Sequence, residues 1–390
     1  MSQIRTFEVP TVMKHGLGAI NALADEVKSL GIKRPLLVTD PGCVRAGLLE
    51  QAAAPLQAGN VDYVVFDSVV PNPPIALVDE GAAVYTGEGC DGLIGLGGGS
   101  AMDTAKAIGV VAANGGSIRD YEWADPQPIT RRIPPTICVP TTAGTGSEVT
   151  LWSVITDPDR KIKFNVGGTA DIGAWVALID PLLTVGLPAP VTAATGMDAL
   201  AHAIECYTCA YAQPFADSVA LLAMEYVGQY LRVAYAQGGN VEARYKMSMA
   251  AMLGGMAYGK ESAGAAHAMS QSAGGVHDVP HGALTARVLG PVMEFNYIGE
   301  PQKFARIAQA LGEDIRGLSV WAAAEKACEA VNRLIEDVDI PTLQEMGFDE
   351  SEIPMLARIA FEDPQTIGNP RDLTYDSYVE IYKRTFERGK

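Results

Sequence analysis

Short β-type runs alternate with helical stretches up to about residue 187 and then cease. That one change of pattern limits the possible folds more than any other feature of the chain. PLLVTD (35–40), VDYVVFD (61–67), DGLIGLG (91–97) and PTICVP (135–140) read as strands apolar enough to be covered on both faces. LGAINALADEVKSLG (17–31) has apolar residues at helical spacing and a terminal Gly, and further helical stretches fall around 44–57, 75–89 and 101–113. Such alternation predicts a parallel sheet with helices on both faces. Beyond Pro188 and Pro190 the segments from VTAATGMDALAHAIECYTC to LSVWAAAEKACEAVNRLIEDV carry helical periodicity alone. The expected architecture is an α/β domain over 1–187 and an all-helical domain over 188–390, with the two prolines as a hinge.

Composition supports two cores: of 390 residues, 48% are hydrophobic and 19% charged, which leaves no signature of disorder. A formal net charge of -17 argues against nucleic acid or an anionic membrane as partner. MSQIRTFEVPTVMKHG lacks the apolar core of a signal peptide, and apolar stretches elsewhere are cut by Gly, Pro or charge before they could span a bilayer. Six cysteines in so long a chain are not a disulfide framework, so a reducing cytoplasm is expected. Cys206 and Cys209 form a lone C-x-x-C with no second pair to complete a zinc site. Two semi-buried thiols on a helix explain it better than a redox pair does.

GMDALAHAIEC (196–206) puts Asp198 and His202 one helical turn apart, on one face, among apolar neighbours. Burying either without a partner is costly. Of the five histidines, His267, His277 and His281 lie together in HAMSQSAGGVHDVPHG (267–282), and His15 stands apart. His267 reads as the end of a small-residue helix, and His281 follows a turn that could fold one towards the other. One Asp and three His make an N/O ligand set suited to Fe(II) or Zn(II), with a coordination position left open. Taken singly, each His also reads as a hydrogen-bonded core residue.

GLGGGSAMDTAKAIG (95–109) follows a strand and opens a helix, where free backbone N–H groups favour a phosphate. It is neither G-x-G-x-x-G nor a P-loop, and a tight turn without ligand would use the same glycines. PTTAGTGSE (140–148) is a second such turn, and two at strand C-termini imply a ligand crevice along that sheet edge. Asp40, ending PLLVTD, would accept from an adenosine ribose and repel a 2′-phosphate, favouring NAD over NADP. Plain turn chemistry before Pro41-Gly42 accounts for it equally.

Together these segments resemble the iron-dependent (group III) alcohol dehydrogenases. The match runs through VTD (38–40), PNP (71–73), GGGSAMDTAK (97–106), PTTAGTGSE (140–148), GMDALAHAIE (196–205), the 267–282 stretch and NPR (369–371). The resemblance implies a dinucleotide-binding parallel-sheet domain followed by a helical metal-binding domain, a dehydroquinate synthase-like architecture. It implies Asp198, His202, His267 and His281 as ligands of Fe(II), with Zn(II) as a substitute. Gly97, Gly98, Gly99 and Ser100 would bind the cofactor diphosphate, with Asp103, Thr141, Thr142, Thr145, Ser147 and Leu182 as further cofactor contacts. Asp40 and Asn72 would lie on the adenosine side and Lys163 near a ribose. The implied activity is hydride transfer between NAD(H) and a small alcohol or aldehyde whose oxygen the metal polarises, in a homodimer or larger homo-oligomer.

The chain also departs from the family. Gln271 stands where many relatives carry a third loop histidine, leaving His277 as the candidate proton relay. Gly259 and Lys260 replace a small residue and Asn, and Lys260 near a ligand helix suggests a polar or anionic substrate; a solvated lysine is the plainer account. NVGGTADIGAW (165–175) lacks the usual Pro-containing link. Maleylacetate reductase, glycerol dehydrogenase, a dehydroquinate synthase-like lyase and a metal-stabilised binding protein remain as alternatives.

Overall fold

The computed structural model describes residues 6–123, 126–259, 264–277 and 279–388. They form two compact units, Glu8–Gly186 and Leu187–Lys390. Thr6 and Phe7 pack with the second: the Thr6 carbonyl accepts from Gln213 Nε2 at 3.2 Å, and the Phe7 ring stacks on Phe215.

The first unit runs β1 (Val12–His15), α1 (Leu23–Ser29), β2 (Pro35–Val38), α2 (Pro41–Arg45), α3 (Leu48–Ala58), β3 (Val64–Phe66), α4 (Ile75–Gly87), β4 (Gly92–Gly97), α5 (Gly99–Asn114), β5 (Thr136–Pro140), β6 (Trp152–Asp157), β7 (Ile162–Gly167), β8 (Val176–Ile179). Six strands make one parallel sheet in the order β1-β8-β5-β4-β2-β3. Leu36 lies opposite Leu93 and Leu37 opposite Ile94. Period-2 alternation sends Leu36, Val38 and Leu93 to one face, against Val78 of α4 and Ile108 of α5. It sends Leu37, Ile94 and Leu96 to the other, against Leu23, Val27 and Leu56 of α1 and α3. Each such fully buried aliphatic side chain contributes roughly 1.5–3 kcal/mol, and both sheet faces are consumed.

Two details differ from the sequence pattern. The stretch 44–57 becomes two helices because Gly47, at φ +72°, stops α2 and starts α3. β1 and the antiparallel β6–β7 pair carry no buried apolar run: β1 is a mostly exposed edge strand, and β7 alternates in burial. Runs of that kind leave little signal.

The second unit comprises α6 (Ala189–Thr208), α7 (Pro214–Ala236), α8 (Val241–Tyr258), α9 (Ala265–Val276), α10 (His281–Asn296), α11 (Pro301–Ala310), α12 (Val320–Asp337), α13 (Ile353–Glu362) and α14 (Tyr375–Glu387). Pro188 is the extended residue before α6, and Pro190 lies in its first turn, where a missing N–H costs nothing. α6 packs against α7, α8 and α10, and every residue from 196 to 209 is buried. It is the central helix, apolar on all sides except where its sequence is not. α10 reaches it at Gly282, whose absent Cβ would stand 2.2 Å from the Ala194 carbonyl oxygen. No described helix is long and apolar enough to cross a membrane. All six cysteines are buried and none is in a disulfide.

Candidate metal centre and cofactor turns

Asp198 and His202 share a face of α6, and two further elements bring histidines to it. His267 is the third residue of α9 and His281 the first of α10, so His267 opens its helix rather than ending one. The turn between these helices lets both rings face α6. His267 Nε2 and His281 Nε2 each stand 3.7 Å from Asp198 Oδ1. One donor atom from each of Asp198, His267 and His281 lies within 4.8 Å of the others. His202 adjoins this trio: its Nδ1 is 4.0 Å from Asp198 Oδ2, and its ring stacks on His267 with centroids 4.4 Å apart.

These separations are too long for hydrogen bonds. Two donors each ~2.1 Å from one ion at a tetrahedral angle would stand roughly 3.4 Å apart, close to the distances found. Asp198 Oδ1 and His267 Nε2 are buried without a hydrogen-bond partner among the described residues, the costly condition that a shared cation relieves. Asp198 and His267 are 2% exposed, whereas the His281 side chain is 28% exposed and gives the group its open side. Burial pushes the Asp198 carboxyl up, but His202, His267 and His281 together outweigh it and hold the group well below the usual carboxylate range. Burial pushes the His267 imidazole down, but Glu205 and Asp198 outweigh it and raise the group to about 10. Two buried carboxylates facing these rings make a place for positive charge. The residues fit a divalent ion.

Sequence reasoning passed over Glu205. It lies seven residues after Asp198, on the same helix face, and its carboxylate meets His267 Nδ1. The final letter of HAIE carried that signal.

Other expectations fared unevenly. Gln271 is buried one turn beyond His267, and its Oε1 has no partner among the described residues. His277 ends α9: Nε2 meets Glu352 Oε1 at 2.8 Å, and the ring packs edge-on against Phe348. The Glu352 carboxylate that engages this nitrogen is half-buried. Lys260 lies outside the described residues.

In the first unit β2, β4, β5 and β8 end at one sheet edge because they are parallel. β4 turns into α5 through Gly97, at φ +151°, where a Cβ would meet Ala101 at 2.7 Å and Asp40 Oδ2 at 3.2 Å. The N-cap residue of α5 is Gly98, which has no side chain to cap it, so its first amides are open to a ligand or water. The turn after β5 packs on this one: Thr141 N donates to the Gly97 carbonyl at 2.9 Å, Thr142 lies over Gly98 and Thr145 over Gly99. Ser100 sits in the first turn of α5.

Asp103 and Ser147, expected as cofactor contacts, engage partners within the protein. They bond each other, and Asp103 also accepts from Val154 N and pairs with Lys106. Fully buried Lys106 donates to the Ser147 and Trp152 carbonyls. This network ties the two turns together. Asp40 caps α2, its Oδ1 accepting from Gly42 N at 2.7 Å and Cys43 N at 3.0 Å, while Oδ2 faces Cys43 Sγ beside Gly97. Turn chemistry and a position at the edge therefore coexist. Asn72 has left-handed backbone, at φ +55°. Its PNP loop joins β6 through Thr156 N and the Pro73 carbonyl, and Thr156 is the register partner of Lys163. Leu182, 45% exposed, lies on the turn after β8.

Comparison with known proteins agrees with both units. Residues 10–181 match the family described as iron-containing alcohol dehydrogenase, and residues 192–386 match the C-terminal region of the Fe-containing alcohol dehydrogenase family. A choline dehydrogenase of Bacillus subtilis is 53% identical over 387 residues, covering 99% of this chain and 96% of that protein. An NAD-dependent methanol dehydrogenase of Bacillus methanolicus is 41% identical over 378 residues, covering 97% and 98%. A crystal structure of a 1,3-propanediol oxidoreductase superposes with TM-score 0.94 at 39% identity, covering 98% of this chain and all of that one. These relationships define a metal-dependent oxidoreductase that uses NAD(H) on small alcohols and aldehydes. This chain belongs to the iron-containing alcohol dehydrogenase family.

Proposed function

We propose that Asp198, His202, His267 and His281 hold a divalent iron ion, with zinc as a substitute, and that the substrate is a small polar alcohol. The observation carrying this reading is the convergence of buried Asp198 Oδ1 and His267 Nε2, neither with a hydrogen-bond partner among the described residues. Bound there, the ion would supply Lewis acidity to a substrate oxygen while a nicotinamide exchanges hydride with the substrate carbon. The chain's own residues do the rest. Gly97, Gly98, Gly99 and Ser100 offer uncapped backbone N–H groups to a diphosphate, and Thr141, Thr142 and Thr145 wall that turn. Asp40, beside Gly97, puts negative charge where a 2′-phosphate would be repelled, which supports NAD over NADP. Asn72, Lys163 and Leu182 belong to the outer part of the same cofactor surface.

The relative named a choline dehydrogenase makes choline the first alcohol to test; the lysine at position 260 makes a carboxylated aldehyde the second. The family resemblance supports a homodimer or larger assembly, and six cysteines outside disulfides fit a cytoplasmic protein. The test is nicotinamide absorbance on anaerobically purified, iron-loaded protein with choline, 1,3-propanediol, methanol and a carboxylated aldehyde, each with NAD(H) and NADP(H). Turnover favouring NAD(H), lost in Asp198→Ala, is expected. Turnover surviving Asp198→Ala would overturn the metal assignment, and a preference for NADP(H) would overturn the role of Asp40.

A further inference from the structure

The carboxylate of Glu205 faces two donors at once. It projects from α6 one turn beyond His202 and is buried. Oε1 accepts from the Ala266 backbone N–H at 2.7 Å, and Oε2 meets His267 Nδ1. α9 begins at Gly264, which has no side chain to cap the helix, so a carboxylate from another helix satisfies that first turn. Gly264 also makes the room, because a Cβ there would stand 2.8 Å from Glu205 Oε1.

An ionised carboxylate only accepts hydrogen bonds, so the nitrogen against it must carry a proton. In a neutral ring the lone pair then belongs to the other nitrogen, Nε2, the atom 3.7 Å from Asp198 Oδ1. We infer that Glu205 is a positioning residue: it fixes the His267 tautomer so that Nε2 presents its lone pair to a cation, and it pins the turn of α9 that carries this ring. The inference rests on the metal reading above and adds a residue to it.

Glu205→Gln separates this from mere capping. A glutamine has the same shape but a single acceptor, so it cannot serve both donors. If its oxygen keeps Ala266, its amide N–H faces Nδ1 and drives the proton to Nε2. Metal-free full-length protein would be titrated with zinc(II) against a chromophoric chelator, with thermal unfolding recorded on the metal-free form. The nitrogen-15 shifts of the His267 ring, recorded on the metal-free protein at a pH where the ring is neutral, would report its tautomer. The expected result is zinc affinity lowered by about 10–100-fold and a changed tautomer, with metal-free unfolding close to the parent's. Parent-like zinc affinity in Glu205→Gln would overturn the inference. Should that variant fail to fold, Gly264→Ala displaces the same carboxylate and must also weaken zinc binding, and parent-like affinity there would be equally fatal. Asp198→Ala distinguishes the two levels: if it loses zinc while Glu205→Gln does not, only the role of Glu205 is wrong. If Asp198→Ala binds zinc like the parent, the metal reading itself fails.

Discussion

Gly282→Ala would test how a close helix contact sets up the Asp/His group. Position 282 follows His281 in the first turn of α10, and an added Cβ would stand 2.2 Å from the Ala194 carbonyl oxygen of α6. Carbon–oxygen contacts are seldom shorter than roughly 3.3 Å, so the start of α10 must retreat by about 1 Å. The obstacle is backbone on a buried helix and cannot rotate away. Overpacking of this kind costs typically about 1–3 kcal/mol. His281 rides on the same turn, so its Nε2 would withdraw from Asp198 by a similar amount, and metal sites tolerate only about 0.2 Å. Zinc titration of the metal-free protein should show at least about a tenfold loss, the scale seen when a ligand's support is disturbed. Gly290→Ala is the control on the same helix: its Cβ would meet the Asn332 and Arg388 side-chain ends, which can swing aside, and zinc affinity should hold. Parent-like stability and affinity in Gly282→Ala would refute the argument that this contact positions His281.

Two other expectations concern the first unit. Lys106→Met keeps the volume but leaves Asp103 and the Ser147 and Trp152 carbonyls without their buried cation, and should cost about 3–5 kcal/mol in denaturant unfolding. A loss below about 1 kcal/mol would show that the network is dispensable. Burial pushes the Glu148 carboxyl up to about 7, well above its usual 4.5. The folded state thus holds this proton more tightly than the unfolded one, so its stabilising contribution is full below about pH 4.5 and is lost as pH rises through about 7. Glu148→Gln should remove that loss, and its stability relative to the parent should rise with pH by up to ~3 kcal/mol across this window. A flat difference between pH 4 and 8.5 would contradict it.

Much of this architecture is legible without coordinates, because the responsible interactions are local. Continuous apolar runs such as PLLV bury both faces of a strand wherever they sit, and an apolar helix such as α6 must be central. The i, i+4 and i+7 spacing of Asp198, His202 and Glu205 places them on one face by helix geometry alone. Even so, Glu205 drew no notice as a single letter, since its meaning depends on a ring 62 residues away.

Helix geometry could not say what faces that surface. His267 and His281 reach Asp198 because α9 and α10 pack against α6, one of them through a glycine that permits near-contact of backbones. Whether a polar side chain in a cofactor-type turn greets a ligand or its own neighbours was likewise a tertiary matter. Asp103 and Ser147 turned to one another, with Lys106 sealed beneath them, because a buried carboxylate and ammonium must find each other once water is excluded. Residue order in the chain determined the elements and the chemistry they carry; only packing, by removing solvent, decided which groups would meet.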